Sequence, residues 1–273
     1  MNNTSYADEH TTATILAIRN QLSATMGIGF EVDNTTTINS KRNVLPNATI
    51  KTFPKIRYFG IGIKGYANIT NENNIAQPYK PSMEDLDLYE PIPFRCVAGA
   101  PLPADEAQNY RMRTVAVING ITYYQYWLKL IEFQDAVPRL TKIVKSSESD
   151  YTVDASSLWP TPTDLSPTDL TTSTERIVAS VTGVCRVTGA EVEEVINAMY
   201  GGDMRRARIS EFGTYSGVEY AAKAGECGEF PAGNEAIYVQ LCTHKCTLGQ
   251  TLSKSGADLV ETKVFENGSC TTI

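Results

Sequence analysis

Alternating apolar and polar residues predict that this chain is mostly β-structure. Between residues 50 and 63, Ile56 and Tyr58 fall on one face of an extended segment, and Phe59 and Ile61 fall on the other. A spacing of two is typical of strands. Similar patterns predict strands over 176–187, 207–212 and 235–248. The polar or proline-containing segments 31–49 and 70–90 are predicted to be loops.

The clearest local pattern is a β-hairpin centred on Asn119 and Gly120. These two residues lie between the β-rich runs 110–118 and 121–131. A type I′ turn needs positive φ at both central positions, which Asn and Gly tolerate. We therefore predict paired antiparallel strands on either side of this turn.

Two segments have the apolar spacing of helices. Residues 11–26 carry apolar side chains near a helical period, and residues 188–200 begin with the capping-box spacing of Thr188 and Glu191. Gly201 is placed to end the second helix. The predicted fold class is α+β and β-dominant, with an antiparallel sheet core, two main helices at about 11–26 and 188–200, and long extended arms.

The predicted domain organisation is an N-terminal arm and helix over 1–49, followed by a single β-rich domain over 50–273. Within that domain, residues 158–174 contain Pro-Thr-Asp-Leu twice. Proline at this density excludes a helix or a central strand, so this segment is predicted to be an extended arm. Its apolar side chains, among them Trp159 and Leu165, are expected to lie on another element or subunit.

Charge and composition limit the classes of function. The 273-residue chain has a net charge of −7 and a pI near 5.0, which argues against a protein whose whole surface binds nucleic acid. Direct contact with DNA is not expected, although a local basic patch is compatible with this charge. No run of apolar residues is long enough for a transmembrane helix, and the polar start lacks the layout of a signal peptide. We expect a protein made in a cytosol, without membrane contact, whose six scattered cysteines are reduced thiols.

The best candidate for a metal site is Cys242, His244 and Cys246, with Cys227 upstream. On a regular strand the three residues would share a face. A flat strand splays its side chains, whereas zinc usually takes cysteines from a tight turn. The sequence therefore predicts no metal and no cofactor.

No catalytic residues are predicted, and the protein is expected not to be an enzyme. A thiol–imidazole pair would have to use His244, and neighbours on one strand are not expected to give the geometry of base, nucleophile and orienting group. The carboxylates of Glu84, Asp85 and Asp87, and those of Glu191, Glu193 and Glu194, are expected to be solvated. The Gly-x-Gly-x-x-Gly motif from Gly60 is interpreted as a twisted or bulged strand, not a dinucleotide site.

One basic cluster could contact DNA phosphates or an acidic partner surface, and contacts with a partner subunit or with the chain's own acids are the favoured interpretation. It could face the acidic run at 84–90 of a neighbouring copy. The candidate interface residues are Arg205, Arg206, Arg208, Trp159, Leu165, Glu84, Asp85 and Asp87.

Segments between Ile92 and Glu219 resemble structural proteins of tailed bacteriophage virions. The residues that carry the resemblance are 92–95, 104–113, 119–129, 153–158 and 209–218. The resemblance implies a neck, collar or tail component of the virion, assembled in the bacterial host cytoplasm and without catalytic residues. Its implied partners are further copies of itself in a symmetric ring and other virion proteins of the neck or tail.

Two other functions stay open at this stage. A host-receptor-binding or fibre-attachment module would also belong to the virion, although the repeats and heptads common in fibres are missing here. A zinc-binding or hydrolytic protein is the more remote alternative. Microscopy of antibody-labelled particles separates the first two functions, and metal analysis tests the third.

Overall fold

The computed structural model describes residues 55–68, 76–82, 85–134, 139–144, 147–152 and 175–267. These residues form antiparallel sheets with two α-helices, so the predicted α+β, β-dominant class is confirmed. The strands are β1 (Lys55–Gly62), β2 (Tyr66–Asn68), β3 (Ala76–Pro78), β4 (Pro91–Ile92), β5 (Arg95–Ala98), β6 (Tyr110–Ile118), β7 (Ile121–Leu130), β8 (Glu132–Phe133), β9 (Arg139–Val144), β10 (Ser147–Asp150), β11 (Glu175–Val187), β12 (Arg208–Ala222), β13 (Gly233–Thr251) and β14 (Leu259–Asn267). The α-helices are α1 (Ala104–Ala107) and α2 (Gly189–Tyr200), and a 3₁₀ turn covers Met204–Arg206.

The chain divides into two compact units. The larger comprises Thr52–Glu132 and Val184–Thr262, and the smaller comprises Met1–Lys51, Phe133–Gly183 and Lys263–Ile273. The predicted division into 1–49 and 50–273 stays a prediction, because its boundary lies outside the described residues.

A seven-stranded sheet forms the larger unit. Its strand order is β13-β12-β1-β7-β5, while β4 pairs with β1 and β6 pairs with β7. The pair β1–β12 joins segments about 150 residues apart in sequence, with Phe59 opposite Thr214. A buried cluster on this sheet contains Tyr58, Leu88, Leu128 and Tyr215, with Leu241 packed against it.

The hairpin prediction is confirmed. β6 and β7 pair with Ile118 opposite Ile121, and Asn119 and Gly120 adopt φ values of 51° and 79°. Both central residues are therefore left-handed, as a type I′ turn requires.

The predicted helix at 188–200 is also confirmed. The Thr188 side chain accepts from Glu191 N–H, and the Glu191 side chain accepts in return from Thr188 N–H. Gly201 ends α2 with a φ of 61°. On the inner face, Val192, Val195 and Ile196 are fully buried.

The smaller unit contains antiparallel pairing around β9. This strand pairs with β10 through Val144 opposite Ser147, and with β11 through Val144 opposite Glu175. The rings of Phe133 and Phe265 lie 6.1 Å apart in the same unit.

Some predictions fall outside the described residues or need correction. The helix at 11–26 and the arm at 158–174 lie outside the described residues. The loop prediction for 70–90 is wrong over Ala76–Pro78, which forms β3 and pairs with β2. Pro78 is the last residue of this short strand, where a missing N–H is tolerated.

Candidate functional site

Four side chains with acid–base or metal-binding chemistry meet beside the sheet of the larger unit. Glu211 comes from β12, His244 and Cys246 come from β13, and Asp85 comes from the segment before β4. We call these four residues the His244 cluster. Glu211 and Cys246 are opposite each other in the β12–β13 register, and Gly213 is opposite His244.

Glu211 is fully buried, and backbone amides surround its carboxylate. Its Oε2 accepts from Lys64 N–H at 2.9 Å and from Glu90 N–H at 3.1 Å. Its Oε1 accepts from Tyr89 N–H at 2.7 Å. These donors satisfy a group whose burial would otherwise carry a large desolvation cost.

The glycine motif makes room for this carboxylate. A Cβ on Gly62 would lie 2.6 Å from Glu211 Oε2, and a Cβ on Gly65 would lie 2.1 Å from the Ser210 carbonyl oxygen. Gly65 N–H donates to Ser210 Oγ at 2.8 Å. Gly60 and Gly62 lie in β1, as the interpretation as strand requires, whereas Gly65 lies in the turn before β2. None of the described residues between β1 and β3 is helical, so the helix of a dinucleotide site does not follow the motif there.

The imidazole of His244 lies between two carboxylates and is only 2% exposed. Its Nδ1 is 2.8 Å from Asp85 Oδ2, and its Nε2 is 3.2 Å from Glu211 Oε1. The ring of Tyr89 packs edge-on against the imidazole at 4.8 Å. The hydrogen bond to His244, followed by the one from Ser82 N–H, lowers the pKa of Asp85.

Cys246 completes the cluster with Sγ 3.5 Å from His244 Nε2. Cys246, His244 and Asp85 therefore have the arrangement of a nucleophile, a base and a group that orients the base. The expectation that His244 and its neighbours on this strand would not give such an arrangement is wrong. The orienting carboxylate comes from a distant segment, which the strand pattern could not show. Burial, followed by the charges of Glu211 and Asp85, raises the pKa of the Cys246 thiol to about 11. That pKa opposes formation of a nucleophilic thiolate.

Cys242 does not join the cluster. Thr214 pairs with Thr243 and Tyr215 pairs with Leu241, so Cys242 is an extra residue at an irregularity in β13. A bulge of this kind changes which residues share a face. The predicted common face for Cys242, His244 and Cys246 is therefore wrong for Cys242, which is exposed.

A second polar site of the larger unit is a pocket of about 430 Å³ lined by residues of β6, β7 and α2. Glu191 accepts from Lys129 Nζ at 2.7 Å and also from the hydroxyl of Tyr110. Burial, followed by the charge of Glu191, raises the pKa of Tyr110. The expectation that Glu191 is solvated is wrong, because this residue is 6% exposed and paired with a cation.

The other acids of α2 are partnered as well. Glu194 binds the Arg95 guanidinium at 3.0 Å and accepts from Cys96 N–H at 2.8 Å, which attaches α2 to β5. Glu193 accepts from Lys254 N–H at 3.0 Å. The spacing of apolar residues predicted helix α2, but it did not predict which of its acids would contact other parts of the chain.

The structure places the predicted basic cluster against groups of its own chain. Arg205 pairs with Asp203 at 2.7 Å, and Arg206 pairs with Glu90 at 3.3 Å. The guanidinium of Arg208 lies over the ring of Tyr66, 4.4 Å from its centroid.

The acidic candidates for an interface are partly used within the chain too. Asp85 belongs to the His244 cluster, and Asp87 Oδ1 accepts from the hydroxyl of Tyr215 at 2.6 Å. Both were expected to be solvated, which is wrong for Asp85, whose side chain is only 14% exposed, whereas Asp87 is exposed. Glu84, Trp159 and Leu165 lie outside the described residues, so the structure does not place them.

An apolar groove of about 400 Å³ opens beside the β6–β7 hairpin. Its lining includes Leu86, Met112, Leu128 and Leu241. Leu86 is 90% exposed and Met112 is 40% exposed. Met112 also has a φ of 56°, a left-handed backbone that is strained for a non-glycine residue.

The tip of the same hairpin is also apolar. Val117 is 70% exposed and Ile121 is 49% exposed on either side of the Asn119-Gly120 turn. Exposed aliphatic side chains at a strand end favour contact with another surface.

Comparison with known proteins places the chain in one family. A family of unknown function, DUF7208, matches residues 1–260, so the chain belongs to it. No curated protein and no solved structure matches the chain. Within the described residues, neither helix has the length and hydrophobicity that crossing a bilayer requires.

Proposed function

We propose that this protein is a structural component of tailed bacteriophage virions that forms a ring in the neck, collar or tail. Its function would be contact between copies of the chain and with neighbouring virion proteins. Support comes from the resemblance of segments between Ile92 and Glu219 to such proteins. The structural observation that carries the proposal is one hairpin with two separate apolar patches, the tip and the groove.

The two patches lie at opposite ends of the hairpin. Met112 at the groove and Ile118 at the tip are six residues apart in β6, which is about 20 Å along a strand. A contact between the tip of one copy and the groove of the next joins two different surfaces. Contacts of this type repeat around a ring when the rotation closes.

Strain at Met112 supports a role for the groove. The left-handed residue is held by the Glu235 carboxylate, which accepts from Met112 N–H and from Arg113 N–H. This arrangement presents the Met112 side chain at the groove. Backbone strain of this kind is found most often at functional sites, such as those that bind a ligand.

Catalysis by Cys246 is disfavoured in this proposal. Nε2 of His244 faces Glu211 Oε1 as well as the thiol. The thiol pKa of about 11 keeps the sulfur protonated near neutral pH. The cluster is therefore assigned a role other than covalent catalysis.

The interface is tested by complementation in solution. Purified full-length protein should form a closed oligomer, and Val117→Asp and Leu86→Asp should each yield monomers in light scattering coupled to chromatography. Each variant keeps one intact patch, so an equimolar mixture should form dimers and stop there. Val260→Asp is the matched control, because Val260 is 45% exposed outside the hairpin.

Two results would contradict the proposal. One is an oligomer that tolerates both Val117→Asp and Leu86→Asp, and the other is a wild-type chain that stays monomeric at high concentration. Antibody labelling of purified particles tests the location. Labelling of fibres instead of the neck or tail would favour the fibre-attachment alternative.

A further inference from the structure

We propose that His244, Cys246 and Glu211 bind a zinc ion, and that Asp85 positions the imidazole for this role. The three ligand atoms lie within 4.8 Å of one another in the larger unit. This inference is independent of the proposed virion function. It also differs from the sequence-based expectation of no metal, since two of the four residues come from elements that the sequence pattern did not connect with His244.

Two further atoms that can bind a metal lie close to Nε2 of His244. Asp85 accepts at Nδ1, whereas Glu211 Oε1 lies 3.2 Å from Nε2 and Cys246 Sγ lies 3.5 Å from it. Nε2, the Glu211 carboxylate and Cys246 Sγ are therefore three atoms that can bind a metal ion and that lie around one point.

Two of the three separations between ligand atoms match the edges of a zinc tetrahedron. Zn–S, Zn–N and Zn–O bonds of about 2.3, 2.05 and 2.1 Å give separations of about 3.6 Å for S and N and about 3.4 Å for N and O. The corresponding separations here are 3.5 Å and 3.2 Å. The third pair, the Glu211 carboxylate and Cys246 Sγ, lies within 4.8 Å, and binding of zinc would hold these two atoms about 3.6 Å apart.

Asp85 supplies the contact that metal-binding histidines usually have. Metal-bound imidazoles commonly donate their other N–H to a carboxylate, which fixes the tautomer and turns the free nitrogen towards the metal. The 2.8 Å separation of Asp85 Oδ2 from Nδ1 has this geometry. Tyr89 packs against the ring of His244 and limits its rotation.

Glu211 can turn one lone pair to the metal without losing its backbone partners. The amides of Lys64, Tyr89 and Glu90 hold the carboxylate in place, and the contact to His244 is the one that zinc would replace. Rigidly held ligands reduce the ordering cost of metal binding.

The types of donor atom favour zinc. A set of thiolate, imidazole and carboxylate suits zinc better than magnesium or calcium, which prefer oxygen ligands. Cys246 is partly exposed, so water can take the fourth position.

Metal binding is measured on the full-length chain after chelation and dialysis. Added zinc should be retained at one ion per chain, and cobalt should give a thiolate charge-transfer band in the near ultraviolet. Cys246→Ser should remove the band and weaken zinc binding at least tenfold. Asp85→Asn should weaken binding about 10- to 100-fold while one zinc still binds per chain.

Cys242→Ser is the matched control and should keep full zinc binding and the cobalt band. If Cys246→Ser fails to fold, protection of wild-type Cys246 from alkylation by added zinc, measured by mass spectrometry, replaces it. No retained zinc, or no such protection, would overturn the proposal. Zinc that is lost in Cys242→Ser and kept in Cys246→Ser would overturn the ligand assignment.

Discussion

The Glu211 side chain illustrates how single residues accommodate a buried charge. Three backbone amides and an imidazole surround its carboxylate. The chain can approach this closely only because Gly62 and Gly65 lack a Cβ. These glycines therefore serve close packing of β1 and the following turn against β12.

Gly65→Ala tests this close packing. The new Cβ would lie 2.1 Å from the Ser210 carbonyl oxygen, so the backbone must move and stability should fall by about 1–3 kcal/mol. Urea denaturation measures the change. Gly256→Ala is the control, because the nearest atom to its Cβ would be the Ser253 hydroxyl at 3.2 Å. Equal stability of the two variants would show that the turn after β1 yields without cost.

The sequence pointed to only part of the His244 cluster. It identified His244 and Cys246 by their spacing, but Asp85 and Glu211 are 159 and 33 residues away from His244. No local motif connects such positions, because strand pairing brings them together. The irregularity at Cys242 could not be predicted either, since it arises from the pairing of β12 with β13.

At the scale of elements, locally encoded structures were predictable. The hairpin depends on the φ preferences of Asn119 and Gly120, and the start of α2 depends on Thr188 and Glu191. β10, by contrast, consists of four exposed residues, Ser147–Asp150, without an apolar alternation. The sequence of β10 therefore does not indicate that this segment pairs with β9.

Gly120→Val tests the turn of the hairpin. Gly120 has a φ of 79°, and a β-branched residue in this region should cost about 1–3 kcal/mol. Thermal unfolding of both variants measures the loss, and Gly120→Asn should cost less because Asn tolerates left-handed backbone. A Val variant as stable as the Asn variant would show that the turn changes type at little cost.

At the scale of the whole molecule, fold class followed from composition and periodicity, but strand order did not. β1 pairs with β12 and β7, which lie far away in sequence. Alternation of apolar residues shows that a strand has a buried face without showing its neighbour. The two apolar patches of the hairpin became visible only when exposure was known for each side chain.

Charge reversal of the basic cluster tests how copies of the chain find each other. Arg205 is 91% exposed and Arg206 is 49% exposed, and both pair with nearby acids of their own chain. Exposed ion pairs contribute little to stability, and the stacking of Arg208 on Tyr66 contributes about 1 kcal/mol. Replacing Arg205, Arg206 and Arg208 by Glu together should therefore leave far-ultraviolet circular dichroism unchanged. Incorporation of this triple variant into particles should nevertheless fall, because the variant repels acidic surfaces of its partners.

Salt dependence distinguishes steering from direct contact. Long-range attraction is screened by salt, with a Debye length of about 8 Å at physiological ionic strength. If the arginines act by steering, assembly of the triple variant should be slow at low salt and approach the wild-type rate as salt is raised. Arg186→Glu is the control, because Arg186 is 44% exposed and pairs with Asp258 in the same unit. If the triple variant is incorporated as well as the wild type, these arginines belong to an ordinary solvated surface. Assembly would then depend on the apolar hairpin and not on the arginines.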